Sequence, residues 1–161
     1  MTSAASPAPE RVFLVVVDDS AELEVALRYA CRRARKTGGR VALLAVVEPS
    51  HDQHWMAVGD LMQEEARAAA EQMLQKLSER VNEWTGTMPI LYVREGIRGD
   101  ELLKLIGEEP TVSILVLGAN TGPKGPGPLV SMLTGKMVGK LRVPITIVPG
   151  NLSLEDVDKV S

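Results

Sequence analysis

Five short apolar runs punctuate the chain, and helical periodicity fills the intervals between them. Val12 to Val17, Val41 to Val47, Ile90 to Val93, Val112 to Gly118 and Ile145 to Val148 are nearly continuous runs of branched and aliphatic residues. Such runs read as strands buried on both faces, as in a parallel sheet. Between the first two, Leu23, Ala26, Leu27, Ala30 and Ala34 recur at three- and four-residue steps, the apolar stripe of a helix. A longer helix is predicted from Asp60 to Trp84, its stripe running through Met62, Ala66, Ala69, Met73, Leu77, Val81 and Trp84. Leu102, Leu103, Leu105 and Ile106 mark a third helix, and Leu129, Leu133, Lys136, Met137 and Leu141 a fourth. Strand and helix alternate with short connections and no internal repeat. That order predicts a three-layer α/β/α domain around a five-stranded parallel sheet.

The punctuation supports these boundaries. Asp19 or Ser20 stands where the first helix needs a cap, with Glu22 placed for a capping box. Thr37-Gly38-Gly39 stops that helix, and Asp100 is placed to cap the third. Arg32, Arg33, Arg35 and Lys36 crowd the last turns of the first helix, where cations suit its dipole. Residues 1–10 are small, polar and proline-containing and read as a disordered N-terminus, leaving 11–150 as the domain. The segment 151–161 reads as a flexible acidic tail.

Composition removes several function classes. A net charge of −3 leaves no polyanion footprint, so nucleic acid is not an expected partner. Nor does any apolar run approach membrane-spanning length. Cys31 is the lone cysteine, which excludes an internal disulfide and suits a reducing cytoplasm; the N-terminus carries no export signal. His51 and His54 share one loop with Trp55, but no Cys or further His completes a metal set. No Ser-His-Asp or Cys-His arrangement is recognisable, so no catalytic residue is assigned.

The chemistry concentrates between the fourth strand and the fourth helix. Gly118, Gly122, Gly125 and Gly127 lie in a strand–loop–helix connection, an arrangement that can receive a phosphate at free N–H groups. Pro123, Pro126 and Pro128 lack that donor, so a stiff connector without ligand is the competing reading. The Walker pattern fails, because Val130 and Met137 occupy its glycine and hydroxyl positions around Gly135-Lys136. The Rossmann fingerprint fails too: it would run Gly125, Gly127 and then Val130, and it does not follow the first strand. In a parallel sheet the ligand site lies beyond the carboxyl ends of the strands, where Asp18 and the 118–127 loop both fall.

Over residues 11–149 the chain resembles the universal stress protein family. The match is carried by VVVDDS at 15–20, LLAVVEP at 43–49, VREG at 93–96, LVLG at 115–118 and VPITIVP at 143–149. The spacing Gly122-x2-Gly125-x9-Gly135 is similar to that family's nucleotide signature, with Lys136 where its binders have a hydroxyl. The family usually begins its motif at the glycine ending the fourth strand, here Gly118. The resemblance implies a Rossmann-like fold of the adenine nucleotide alpha hydrolase type, with ATP, and magnesium with it, bound between strands 1 and 4. It further implies that Val17 and Asp18 meet the ribose or adenine end and that the Val46 backbone faces the adenine. Gly118 or Gly122 would play the first role in that signature, with Gly125 and Gly135 completing the phosphate site. Lys136 either meets a phosphate as a point charge or solvates its helix, and both readings stand. The function implied by the resemblance is regulatory binding of adenine nucleotide in the stress response, with at most slow ATP hydrolysis. The alternative is a ligand-free, partner-binding module on the same fold.

The last apolar run carries one more expectation. Val143, Ile145 and Ile147 have no charge among them, and Pro144 belongs at a strand start or sheet edge. An unprotected apolar edge invites a second copy, so a homodimer through the final strand is expected. The family resemblance implies the same.

Overall fold

The computed structural model describes residues 10–49 and 56–161. The expectations for the N-terminal residues 1–9 and for His51, His54 and Trp55 lie outside them. Along the chain run β1 (Val12–Val17), α1 (Leu23–Thr37), β2 (Arg40–Val47), α2 (Met56–Thr85), β3 (Ile90–Glu95), α3 (Arg98–Glu108), β4 (Val112–Ala119), α4 (Pro128–Thr134), a 3-10 turn (Val138–Lys140), β5 (Ile145–Pro149) and α5 (Leu154–Val160). The strands form one sheet in the order β3-β2-β1-β4-β5, and every pairing is parallel. All six residues of central β1 are buried, as its unbroken apolar run requires.

Alternation along β1 divides the core in two. Phe13, Val15 and Val17 face α1, α2 and α5, packing on Leu27, Ala30, Leu74, Leu77 and Val157. Val12, Leu14 and Val16 face α3 and α4, packing on Leu102, Leu105, Ile106, Val130 and Leu133. Two apolar faces on one strand force helices onto both sides of the sheet.

Several local expectations need correction. Neither Asp19 nor Ser20 caps α1; Glu22 holds the cap position and makes no side-chain cap bond. Asp18 instead ties the turn, its Oδ1 accepting from the Ser20 N–H at 3.0 Å and the Ser20 hydroxyl at 2.6 Å. A carboxylate bonded two residues on stabilises the turn and leaves the helix to begin later. Ile97, not Asp100, occupies the α3 cap position, and Asp100 lies in the first turn. The α1 stop is as expected: Gly38 adopts φ 69° and its N–H reaches the Ala34 carbonyl.

Helix α2 is buried along half its length. Leu74, Leu77, Ser78 and Val81 are buried and Trp84 is half-buried, but Met62, Ala66, Ala69 and Met73 are exposed. A helix of 30 residues is about 45 Å long, whereas the eight-residue β2 spans about 26 Å. The N-terminal half outruns the strand it packs on, so its stripe has nothing to face.

The fourth helix is shorter than its periodicity predicts. It stops at Thr134; Gly135, Lys136 and Met137 form a turn before the 3-10 segment. The two glycines at 135 and 139 cost helix stability, and each exposes backbone to water.

The acidic tail forms a helix, α5, that packs on α1. Ser153 caps α5 by accepting from the Asp156 N–H at 3.1 Å, and Val157 is fully buried against the α1 side. Arg28 on α1 forks onto both oxygens of Asp158, at 2.7 and 2.8 Å. The same guanidinium lies 4.8 Å from the centroid of the Trp84 ring. That hydrogen bond and ion pair hold the Asp158 carboxyl below its usual range.

Candidate functional site

The chain builds β1, β2 and β3 outward in one direction, then crosses back to place β4 on the other side of β1. Helices leaving β1 and β4 therefore diverge to opposite faces of the sheet. A cleft must open beyond the carboxyl ends of those two strands. It is present there, with a volume of about 200 Å³. Val16 and Leu117 form its strand floor, Asp18, Ser20, Glu22, Leu23 and Ala26 its α1 wall, and Asn120 with Pro126–Val130 its loop wall. Arg98, from the first turn of α3, closes one side.

Glycine is obligatory at the join between these walls. A Cβ on Gly118 would stand 2.5 Å from the Glu22 carbonyl oxygen and 2.7 Å from the Glu22 Cβ. One on Gly150 would meet the Glu22 Cγ and, at 2.7 Å, the Ala119 carbonyl. The start of α1 thus seats directly on the ends of β4 and β5. Gly118 acts first as a packing residue.

The loop after β4 uses much of its own hydrogen-bonding capacity. The Gly122 N–H donates to Asn120 Oδ1 at 2.6 Å, the Gly125 N–H to the Gly122 carbonyl at 3.2 Å, and the Asn120 N–H to the Pro126 carbonyl at 3.2 Å. Pro123, Pro126 and Pro128 have no N–H to offer. Gly125 and Gly127 adopt φ of 90° and 104°, a conformation that a β-branched residue could not hold without strain.

Of the residues singled out from sequence, Asp18 and Gly118 line the cleft together. Val17 is buried in the core on the α1 side, and Val46 packs half-buried on the α3 and α4 side. Gly122, Gly125, Gly135 and Lys136 are not among the lining residues; Gly122, Gly135 and Lys136 are exposed. Lys136 sits in the turn after α4, so the expectation of a helical setting for it fails. Sequence reasoning passed over Glu22, Asn120 and Arg98. Glu22 follows Asp18 by four residues, and that spacing was legible. Arg98 arrives from the far side of the sheet and carries no local signal.

Arg98 is unusual in its surroundings. Its backbone N–H donates to Glu48 Oε1 at 3.4 Å, but its Nε is buried with no hydrogen-bond partner among the described residues. The residue also lines a second cavity of about 170 Å³, with Glu48, Ile97, Gly99, Pro128, Leu129 and Met132. Arg98, Pro128 and Leu129 are common to both cavities.

Other chemistry is absent from the described residues. No group of three or more His, Cys, Asp or Glu side chains is placed to hold a metal ion there. Burial pushes the Cys31 thiol up to about 12, which removes it as a nucleophile near neutral pH. No helix among the described residues is long and apolar enough to cross a membrane.

The profile of the universal stress protein family matches residues 10–149. Among solved structures, the chain is similar to the universal stress protein UspA from Lactobacillus plantarum, at 20% identity and a TM-score of 0.73, over 88% of this chain and 99% of that one. A universal stress protein solved in complex with cAMP matches at 14% identity and a TM-score of 0.60, covering 89% and 100%. The universal stress protein from Archaeoglobus fulgidus in complex with dAMP matches at 14% identity and 0.52, covering 87% and 98%. No curated protein matches in sequence.

Proposed function

We propose, from the premise that this chain belongs to the universal stress protein family, that the cleft between β1 and β4 binds an adenine nucleotide. The observation that carries this reading is the meeting of Asp18 and Gly118 in one cleft at the point where strand order reverses. Two proteins of the same fold were solved with cAMP and dAMP, which supports an adenine nucleotide as the ligand class. ATP, with magnesium, is the nucleotide assigned, and the role is regulatory binding in the stress response. We place that role in the cytoplasm, where a lone buried thiol stays reduced. In this reading Asp18 meets the nucleoside end and the 118–135 segment surrounds the phosphates.

Titration calorimetry of the purified chain with ATP, with and without magnesium, tests it. Saturable heat and a raised melting temperature are expected. A flat titration and an unmoved melt at high nucleotide would overturn it.

A second reading has its own observation. The loop consumes the Asn120, Gly122 and Gly125 N–H groups internally, as a ligand-free connector would. On this reading the chain is a dimeric module that binds a partner protein. The homodimer belongs to both readings: β5 is one of the two edge strands, and Ile147 is 40% exposed on it. Val143 drops out of that interface, because it precedes β5 and is buried in its own core. Ile145 and Ile147 remain. Light scattering should report a dimer, and adenine absorbance retained by the purified protein would exclude the second reading.

A further inference from the structure

We infer that Arg98 is a phosphate-binding residue of this cleft, acting beside the 118–135 segment. The inference rests on the adenine-nucleotide reading above and names the group that would hold the anion. Three observations point to it.

The first is charge. Asp18 and Glu22 both line the cleft, and two carboxylates repel a phosphate. Among the described residues, Arg98 is the single cationic side chain lining either cavity. Lys124 and Lys136 lie elsewhere, exposed. An anion entering the cleft therefore has one point of positive charge to meet.

The second is the donor supply of the loop. Three prolines and three internally used N–H groups reduce the donors that the 118–128 segment can offer a phosphate. The Arg98 guanidinium on α3 adds side-chain donors at the same cleft.

The third is Arg98 itself. Among the described residues its Nε is buried without a partner, and its guanidinium makes no ion pair. A buried, unpaired guanidinium nitrogen is costly, and native proteins satisfy such groups. A phosphate would do so through a bidentate, charge-assisted pair with the planar fork.

Calorimetric titration with adenosine, AMP and ATP, each against the wild type, Arg98→Gln and Arg98→Lys, tests this. Melting curves in the absence of nucleotide check that each variant is folded. For Arg98→Gln, AMP affinity should fall about tenfold or more, as expected for a lost charge-assisted pair. Adenosine affinity should stay as in the wild type, and Arg98→Lys should recover part of the AMP affinity by restoring the charge. In the wild type, AMP should bind more tightly than adenosine. If AMP binds wild type and folded Arg98→Gln equally, the role of Arg98 is overturned while the nucleotide reading survives. If all three ligands fail with the wild type, the nucleotide reading itself falls and this inference with it.

Discussion

The two faces of the sheet are covered in different ways. On one face α1, α2 and α5 close over Phe13, Val15 and Val17, and the Arg28–Asp158 pair fastens the last helix to the first. On the other, α3 and the seven-residue α4 cover Leu14 and Val16, and the second cavity opens between them. The first face carries the long, regular helices. The second carries the Pro/Gly loop and the broken helix, and it supplies Arg98 and the loop wall to the cleft. Continuous helix over a strand leaves no room for a ligand, whereas a helix cut short leaves its end of the sheet open. The sealed core and the cavity between α3 and α4 thus lie on opposite sides of the same five strands.

Substitutions on each face should separate these roles. The largest stability loss is expected from Leu74→Ala on α2, whose side chain is 2% exposed in the sealed core. Chemical denaturation should show a loss of about 2–5 kcal/mol, while nucleotide affinity of the folded variant stays unchanged. A matching fall in affinity would show that the two faces are not independent.

Gly118→Val tests the other face. Its side chain would drive into the Glu22 backbone, so α1 must shift where it meets β4. Overpacking of this kind costs about 1–3 kcal/mol, less than Leu74→Ala, yet nucleotide binding should be lost below detection in calorimetry. A variant that binds as wild type does would move the ligand site away from this cleft.

The smallest effect concerns the fastening of α5. The Asp158 carboxyl is held low by Arg28, so its contribution to stability is full above the ordinary carboxylate range of about 4. It disappears as acid titrates the group through its depressed value. The pair is 20% and 29% exposed, and solvent screening limits its worth to about 1 kcal/mol. Asp158→Asn should therefore melt lower than wild type at neutral pH, and the gap should close in strong acid. A gap that persisted at low pH would assign α5 docking to Val157 and packing alone.

How far each feature was legible in sequence depends on the range of the interactions behind it. The strands declared themselves, because a parallel strand buried on both faces must be apolar at every position, as Val12–Val17 is. Asp18 and Gly118 were legible as cleft-lining residues because both end strands, and a cleft opens beyond the strand ends where strand order reverses. The α5 helix was missed because LSLEDVDKVS is polar along most of its length; only Val157 and the distant Arg28 tell it where to dock. The α2 stripe misled because periodicity records an apolar face without recording whether a sheet lies beneath it.

The sequence alone determined the alternation of strands and helices, the three layers and the end of the sheet at which the cleft opens. These rest on local periodicity, on turn chemistry and on one topological rule. Tertiary structure decided the rest. It turned the glycine loop's donors onto the loop itself, made Gly118 and Gly150 the seats of Glu22, and carried Arg98 from the end of β3 into the cleft. Residues 22, 98, 118 and 150 are far apart along the chain. They meet only because the crossover from β3 to β4 folds the second half of the sheet against the first, and no local pattern encodes that meeting.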